Sequence, residues 1–562
     1  MISSALGVSA SSLLAQQKAI SVLANNIANA NTKGYSRETP QLGTRASENL
    51  GGLTFGRGVK ITAVTRQADT FIQKSEIANG TDVGYYAALK KSLLAVEPVF
   101  GSLTSSSLSP ALDSFFKSSQ LLANSPSSQS SKSSVISAAT NLTNNIKSMK
   151  NSLTQALTSS NTDLTSSVNT INSILTKIGQ VSVEINHTES TSASTANGLR
   201  DQRDVLVRDL SKKMDIQLVD TKGFLLQSRS GEILVQDGTV NKLNISVSST
   251  SSQVSVGNNP PMTQSVIGGD LGGKLDANVK YKTYISNLDD FSSNLIQGIN
   301  NVYSSGTSSV PKSSYTSDFG SIPTVALNSA TQTSPFATSI KTGSFRVHQY
   351  NAAGVAVAPL GGTVINITAG VSTMNSVSAD LTAAGYTTTI AANGAISISA
   401  PAGNKMAFSD DTSGFLSSSG INTLLSGSSS KDISVKATVN TLNNATASSV
   451  DSTIATDGAL ASSIFSLTNS SFGFTTSGQD TLTNRVRSMI TTFTSDLSLA
   501  QSQSDFYQFR ATAIKTQRLN VSQVNIDTEM VSMIKFQQAY KAASKVIQVN
   551  NDMLTSLMGL IR

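Results

Sequence analysis

An apolar residue at every seventh position marks both ends of this chain. Near the start the register is Leu6, Leu13, Ile20 and Ile27; near the end it is Ile526, Met533, Tyr540, Ile547, Leu554 and Ile561. Such spacing lays a nearly straight stripe along a helix, and the stripe is buried by packing against another helix. The N-terminal pattern predicts a helix roughly 45 Å long at about 1.5 Å per residue, and the C-terminal one is slightly longer. Chain ends are ordinarily frayed and polar. Ends this regular are expected to pack, on each other and on neighbouring subunits.

The 562 residues suffice for several domains, each with its own core. The chain is 38% hydrophobic but only 5% aromatic and 13% charged, so small polar side chains fill the surface. That balance suits an extracellular or assembled protein better than a crowded cytosolic enzyme. The absence of Cys excludes a disulfide framework, a thiol nucleophile and Cys-ligated metal. The formal charge of +7 is carried by scattered residues, with no basic run longer than Lys90-Lys91 or Lys212-Lys213. It reads as solvated surface, and no nucleic-acid partner is expected. The first residues lack a basic segment followed by an apolar core, so an ordinary cleaved leader is not expected. No stretch approaches the roughly 18 apolar residues that cross a bilayer, so no membrane insertion is expected.

Along the chain, Asn25-Asn26-Ile27-Ala28-Asn29-Ala30-Asn31-Thr32-Lys33-Gly34-Tyr35 should end the first helix and turn the backbone. Residues 36–66 read as short strands, 67–98 as a helix that exits at Pro98, and 110–123 as a second helix. A long heptad over 135–188 begins with Leu142 and Met149 and, after a phase step, continues through Leu157, Leu164, Ile171, Ile178 and Ile185. It predicts a rod of roughly 75–80 Å. A helix containing Asp201-Gln202-Arg203-Asp204 follows, then strand-like alternation from Ile216 to Val235, and helix again over 275–304. Residues 340–426 are Gly-, Ala- and Thr-rich, with Asn393-Gly394 between two strand-like runs as a tight-hairpin signal. From about 470 the pattern is helical to the end.

The expected fold is therefore α+β and multidomain, with terminal helices paired as a coiled coil, a long helical rod and β-rich outer parts. The expected divisions are 1–34 with 520–562 as the terminal assembly domain and 35–215 with 470–519 as the rod. Residues 216–339 with 427–469 form a mixed intermediate domain, and 340–426 an outer β-rich insertion.

No constellation supports catalysis. Gly268-x-x-x-x-Gly273-Lys274 resembles a phosphate-binding loop, but Leu275 stands where Ser or Thr would hold Mg²⁺, so a helix-entry turn is the better reading. Glu184, His187 and Glu189 could present metal ligands on one helix face, but the other His, His348, is far along the chain. No Gly-x-Ser-x-Gly elbow occurs, and Asp410-Asp411 in a Ser/Gly loop reads as turn chemistry. The chain is read as no enzyme, with no cofactor and no metal.

The N-terminal segment with Asn25, Asn26, Asn29, Asn31, Thr32, Gly34 and Tyr35 resembles the signature of bacterial flagellar axial proteins, which include rod, hook and hook-associated members. Asn525 in Val524-Asn525-Ile526-Asp527-Thr528-Glu529-Met530, and then Phe536, Gln537, Gln538, Ala539 and Tyr540, resemble the matching C-terminal signature. Ser36-Arg37-Glu38, Asp201–Asp204 and Gly268-Gly269-Asp270-Leu271-Gly272-Gly273-Lys274-Leu275 are similar to the FlgK type of hook-associated protein. The resemblance implies a secreted structural subunit at the junction of hook and filament, exported by the flagellar type III apparatus. It implies self-association in a helical ring, contact with the hook protein and a second hook-associated protein, and an export chaperone on the C-terminal helix. Three alternatives stand beside it. A hook protein should lack the 135–188 rod and the Asp201–Asp204 helix. An adhesin would display 340–426 on a helical stalk, but no aromatic cluster there suggests a ligand. A secreted hydrolase would need catalytic residues the chain does not offer.

Overall fold

The computed structural model describes residues 2–50, 53–101, 107–191, 195–220, 223–248, 251–308, 310–436, 458–475 and 478–559. Among them the helices are α1 (Ile2–Ala28), α2 (Thr70–Gly101), α3 (Leu108–Asn124), α4 (Gln129–Thr191), α5 (Asn197–Ser211) and α6 (Gly269–Ser305). They continue with α7 (Met374–Ala383), α8 (Phe415–Ser419), α9 (Ala459–Ser466), α10 (Leu482–Ser522) and α11 (Ile526–Gly559). The chain forms two compact units. The first comprises residues 1–93, 159–279 and 497–562; the second comprises 94–158 and 280–496.

The heptad at 135–188 is realised as α4, one helix of 63 residues. Val135, Leu142 and Met149 are buried in one phase and Leu164, Ile171, Ile178 and Ile185 in the next. Leu157, between the two, is half-buried. A straight helix turns once per 3.6 residues, so a strict heptad drifts by about 20° per repeat. The one-residue phase step returns the stripe to the buried face.

In the first unit, the second half of α4 packs its Leu164–Ile178 stripe into a core with Val207 and Leu210 of α5 and Leu271 and Leu275 of α6. Strands Ile216–Asp220, Phe224–Ser228, Ile233–Gln236 and Thr239–Val240 form an antiparallel meander that supplies Leu226, Leu234 and Val235. Strands Glu38–Thr44 and Val59–Arg66 pair antiparallel, with a register shift at Gln41/Leu42, and lie against α1. The α2 and α10 helices meet through Tyr86 and Tyr507, whose rings stack at 5.4 Å.

The second unit has a β-rich core built from Phe345, Val347, Ile365, Ile367, Met406 and Phe408 under α7 and α8. The 387–399 hairpin forms as expected: Thr387–Ile390 pairs with Ile396–Ser399, and Gly394 takes φ +78° in its loop. Ser314–Thr316 joins this hairpin, and Leu327 shares the core. The β-rich body thus extends N-terminally of residue 340, because those residues supply an edge strand and apolar side chains that the inserted sheet needs. Two local expectations are corrected. Pro98 lies inside the last turn of α2 rather than ending it. Residues 472–480 form a strand pair, Phe472–Phe474 with Gly478–Asp480, before the helical C-terminal part begins at Leu482.

Candidate assembly interface

The two terminal helices pack on each other within the first unit. Their mutual seam is displaced from the heptad stripes. On α1 the buried residues are Ser9, Ser11, Ala15, Ala19, Leu23 and Asn26, while Leu6, Leu13, Ile20 and Ile27 are half-buried. Ala19 and Asn26 each precede a stripe residue by one position, which is about 100° of helix rotation. On α11 the buried residues are Glu529 and Asn550, three residues beyond the expected register; Phe536 and Ala543 between them are half-buried. Met533 and Ile547 are half-buried, and Ile526, Tyr540 and Leu554 are exposed; Ile561 lies outside the described residues. Ala15 and Ala19 are small enough to be covered almost completely, whereas the longer stripe side chains keep part of their surface exposed.

A buried polar network fixes this pairing. Glu529 and Asn26 are both fully buried. Asn26 Nδ2 donates to Glu529 Oε2 at 2.9 Å and to the Glu38 carbonyl at 2.8 Å, and its Oδ1 accepts from the Glu38 amide at 2.9 Å. Arg37 Nε donates to Glu529 Oε1 at 2.6 Å, and the Arg37 amide donates to the Ser522 carbonyl at 2.9 Å. The Tyr35 hydroxyl donates to Asn26 Oδ1 at 2.8 Å and accepts from Asn25 Nδ2 at 3.3 Å. Burial, reinforced by the Glu38 carboxylate, pushes the Tyr35 pKa well above its ordinary value. Asn29 Nδ2 donates to the Asn25 carbonyl, and Thr32 Oγ1 donates to Asn29 Oδ1, which shapes the turn after α1.

The other motifs join the same structure. Ser36 donates through its amide and hydroxyl to the Asp201 carboxylate at 2.9 and 2.8 Å. Arg66 bridges Asp201 and Asp204 at 2.7 and 3.0 Å, and Arg203 lies 4.1 Å over the Phe224 ring. Gly34 takes φ +88°, and a Cβ there would lie 2.2 Å from Val205 Cγ2, so the turn needs glycine. Asn525 caps α11, its Oδ1 accepting from the Thr528 amide at 3.1 Å. Phe536 and Ala539 are half-buried, whereas Asn31, Gln537 and Gln538 are exposed.

Most of the chemical candidates are engaged in structure. Gly268 and Gly269 take φ +56° and +58° where the chain enters α6, and a Cβ on Gly269 would lie 2.4 Å from the Met214 nitrogen. Lys274 pairs with Asp270 at 3.0 Å and donates to Ser167. Glu189 takes two hydrogen bonds from Arg200, each 2.8 Å, and one from the Ala196 amide. His348 Nε2 lies 2.7 Å from Ser409 Oγ. Asp411 accepts from the Gly414 and Leu416 amides at the start of α8, and Asp410 pairs with Arg346 at 3.1 Å. Among the described residues no group of three or more His, Asp or Glu could hold a metal.

Sequence reasoning missed Glu529 and Arg37 as partners, although both stand in recognised motifs. The available signal was a carboxylate spaced by sevens from Phe536, Ala543 and Asn550.

The α11 helix also carries apolar side chains that remain exposed among the described residues. Met530, Ile534, Val546, Val549, Met553 and Leu557 are exposed, and every residue from 551 to 559 is exposed.

Comparison with known families and proteins accords with this arrangement. Residues 93–313 match the helical domain of flagellar hook-associated protein FlgK. Residues 6–35 match the flagella basal body rod protein family, and 515–560 the C-terminal family of the flagellar basal body rod FlgEFG proteins. Flagellar hook-associated protein 1 of Bacillus subtilis (strain 168) is 30% identical over 235 residues, 40% of this chain and 46% of that protein. Its counterparts in Salmonella typhimurium and Escherichia coli K12 are 29% and 26% identical, each over 43% of this chain and 44% and 45% of their own lengths. The matched part thus spans about half the length of these relatives. The flagellar hook junction protein FlgK from Burkholderia pseudomallei superposes with a TM-score of 0.49 at 16% identity, over 80% of this chain and 100% of its own. Residues 93–313 are thus similar to the helical domain of FlgK, and the segments at the two ends are similar to the flagellar rod-protein families.

Proposed function

We propose that this chain is a structural subunit of the bacterial flagellum that forms the junction between hook and filament. In this reading it acts outside the cell, assembles in a ring through its terminal helices, and performs no catalysis. Its neighbours are the hook protein and a second hook-associated protein, and a cytoplasmic chaperone holds α11 before export.

The observation that carries the reading is the uncovered apolar surface of α11. Beyond Asn550 every described residue of this helix is exposed, Met553, Leu554 and Leu557 among them. An exposed apolar row of that length is a contact surface. The half-buried flanks of the seam, Leu13 and Ile20 on α1 and Met533 and Ile547 on α11, leave the pair able to bury more area against neighbours.

The test replaces Leu554 and Leu557 with Asp. Both are exposed in the monomer, so the variant should be made, stay soluble and keep its thermal transition. Burying an unpaired carboxylate in an interface costs several kcal/mol, so assembly should fail and cells should carry hooks without filaments. Labelled wild-type protein should form a band at the hook–filament boundary of isolated flagella. Normal filaments in the variant, or label spread along hook or filament, would refute the proposal.

A further inference from the structure

A cavity of about 340 Å³ opens in the second unit, remote in sequence from the terminal helices. Its walls come from the end of α6 and the chain after it, and from the segment after α8: Tyr303, Lys312, Tyr315, Thr316, Asn422 and Lys436. Pockets of roughly 300 Å³ and above hold small organic ligands. Two ammonium groups face this one. Lys436 is already neutralised by Asp318, whose Oδ1 lies 2.9 Å away. Lys312 has no carboxylate within ion-pair distance among the described residues; its Nζ lies 5.4 Å from the Tyr315 ring centroid.

Holding a half-buried cation without a counter-ion is unfavourable. Burial first, and then the Lys436 ammonium, lowers the Lys312 pKa from its ordinary value. The cavity leaves room for an anion to relieve both effects. The remaining lining includes the Asp318 carboxylate and polar uncharged residues, among them Ser314, Thr316, Asn422 and Thr423. Hydroxyls and amides suit a ligand that carries its own hydroxyl groups as well as a charge.

We propose that this cavity binds a small hydroxylated oxyanion of monosaccharide size, a sugar acid or a sugar phosphate, through Lys312. The charge is held by the Lys312 ammonium, and the ligand hydroxyls meet the Ser314, Thr316 and Asn422 side chains. Lys436, tied to Asp318, sets the second positive edge of the cavity.

Titration calorimetry on the full chain at constant ionic strength tests this, with glucuronate and glucose 6-phosphate as probes and glucose as the uncharged control. Saturable binding of at least one anionic probe is expected, with glucose at least tenfold weaker, a difference of about 1.4 kcal/mol. Glucuronate alone would identify a sugar acid, and glucose 6-phosphate alone a sugar phosphate. Lys312→Gln should weaken binding about tenfold, while Lys312→Arg, which keeps the charge, should retain it. Circular dichroism establishes that each variant is folded. If Lys312→Gln does not fold, the glucose control and Lys312→Arg still decide. The proposal is overturned if neither anion binds saturably, if glucose binds as well as they do, if a folded Lys312→Gln variant binds unchanged, or if a folded Lys312→Arg variant loses binding.

Discussion

Removing the Arg37 side chain should loosen the terminal helix pair far more than removing its partner. Glu529 is fully buried, and its carboxylate is held by Arg37 Nε at 2.6 Å and Asn26 Nδ2 at 2.9 Å. Arg37→Ala leaves that carboxylate with a single neutral donor. Breaking a fully buried ion pair costs about 3–5 kcal/mol. The Arg37 side chain is 33% exposed, so solvent already screens part of the interaction and about 2–3 kcal/mol is the fitting range. Glu529→Leu runs the other way. Arg37 can turn toward water, and Asn26 keeps its bonds to Glu38, so the penalty should be smaller. The double variant Arg37→Met with Glu529→Leu buries no charge and should recover most of the loss. Amide hydrogen exchange of α11 reads this directly, because local opening exposes those amides. Arg37→Ala should speed exchange roughly 30- to 150-fold, the equivalent of about 2–3 kcal/mol. A change below about threefold, or a larger effect from Glu529→Leu than from Arg37→Ala, would refute the reasoning.

Two further outcomes follow from single contacts. Gly34→Ala places a Cβ against Val205 in a left-handed turn, so it should cost about 2 kcal/mol and lower the thermal midpoint of unfolding by several degrees; an unchanged midpoint would show that the turn relaxes. Hydrogen bonds from Arg200 hold the Glu189 pKa below its ordinary 4.5. A depressed acid contributes stability that is whole above the unfolded value and is lost as pH falls through the lower folded value. Carboxyl NMR should therefore show Glu189 titrating below 4.5, with Arg200→Ala returning it toward that value; no movement in the variant would assign the shift elsewhere.

Much of the architecture was legible because it rests on periodicity. The α4 heptad, with its phase step, appeared in the sequence as spaced apolar residues and in the structure as one helix, since helix periodicity is local geometry. The 387–399 hairpin was readable for the same reason, from Asn393-Gly394 between two alternating runs. The seam of the terminal helices was not. The spacing of Leu6 to Ile27 says that a face is apolar, but Ala15 and Ala19 bury completely because a neighbour comes close there. The edge strand Ser314–Thr316 was missed because three residues carry too little alternation to signal a strand.

The sequence by itself determined the long helices and their order, and carried the motifs at both ends. Those follow from interactions within a few residues. Tertiary structure alone decided that Asn26, Arg37 and Glu529 meet, joining positions 492 and 503 residues apart. It also decided which apolar side chains of α11 remain uncovered. Burial and pairing depend on what else arrives at a surface, and no local pattern carries that information.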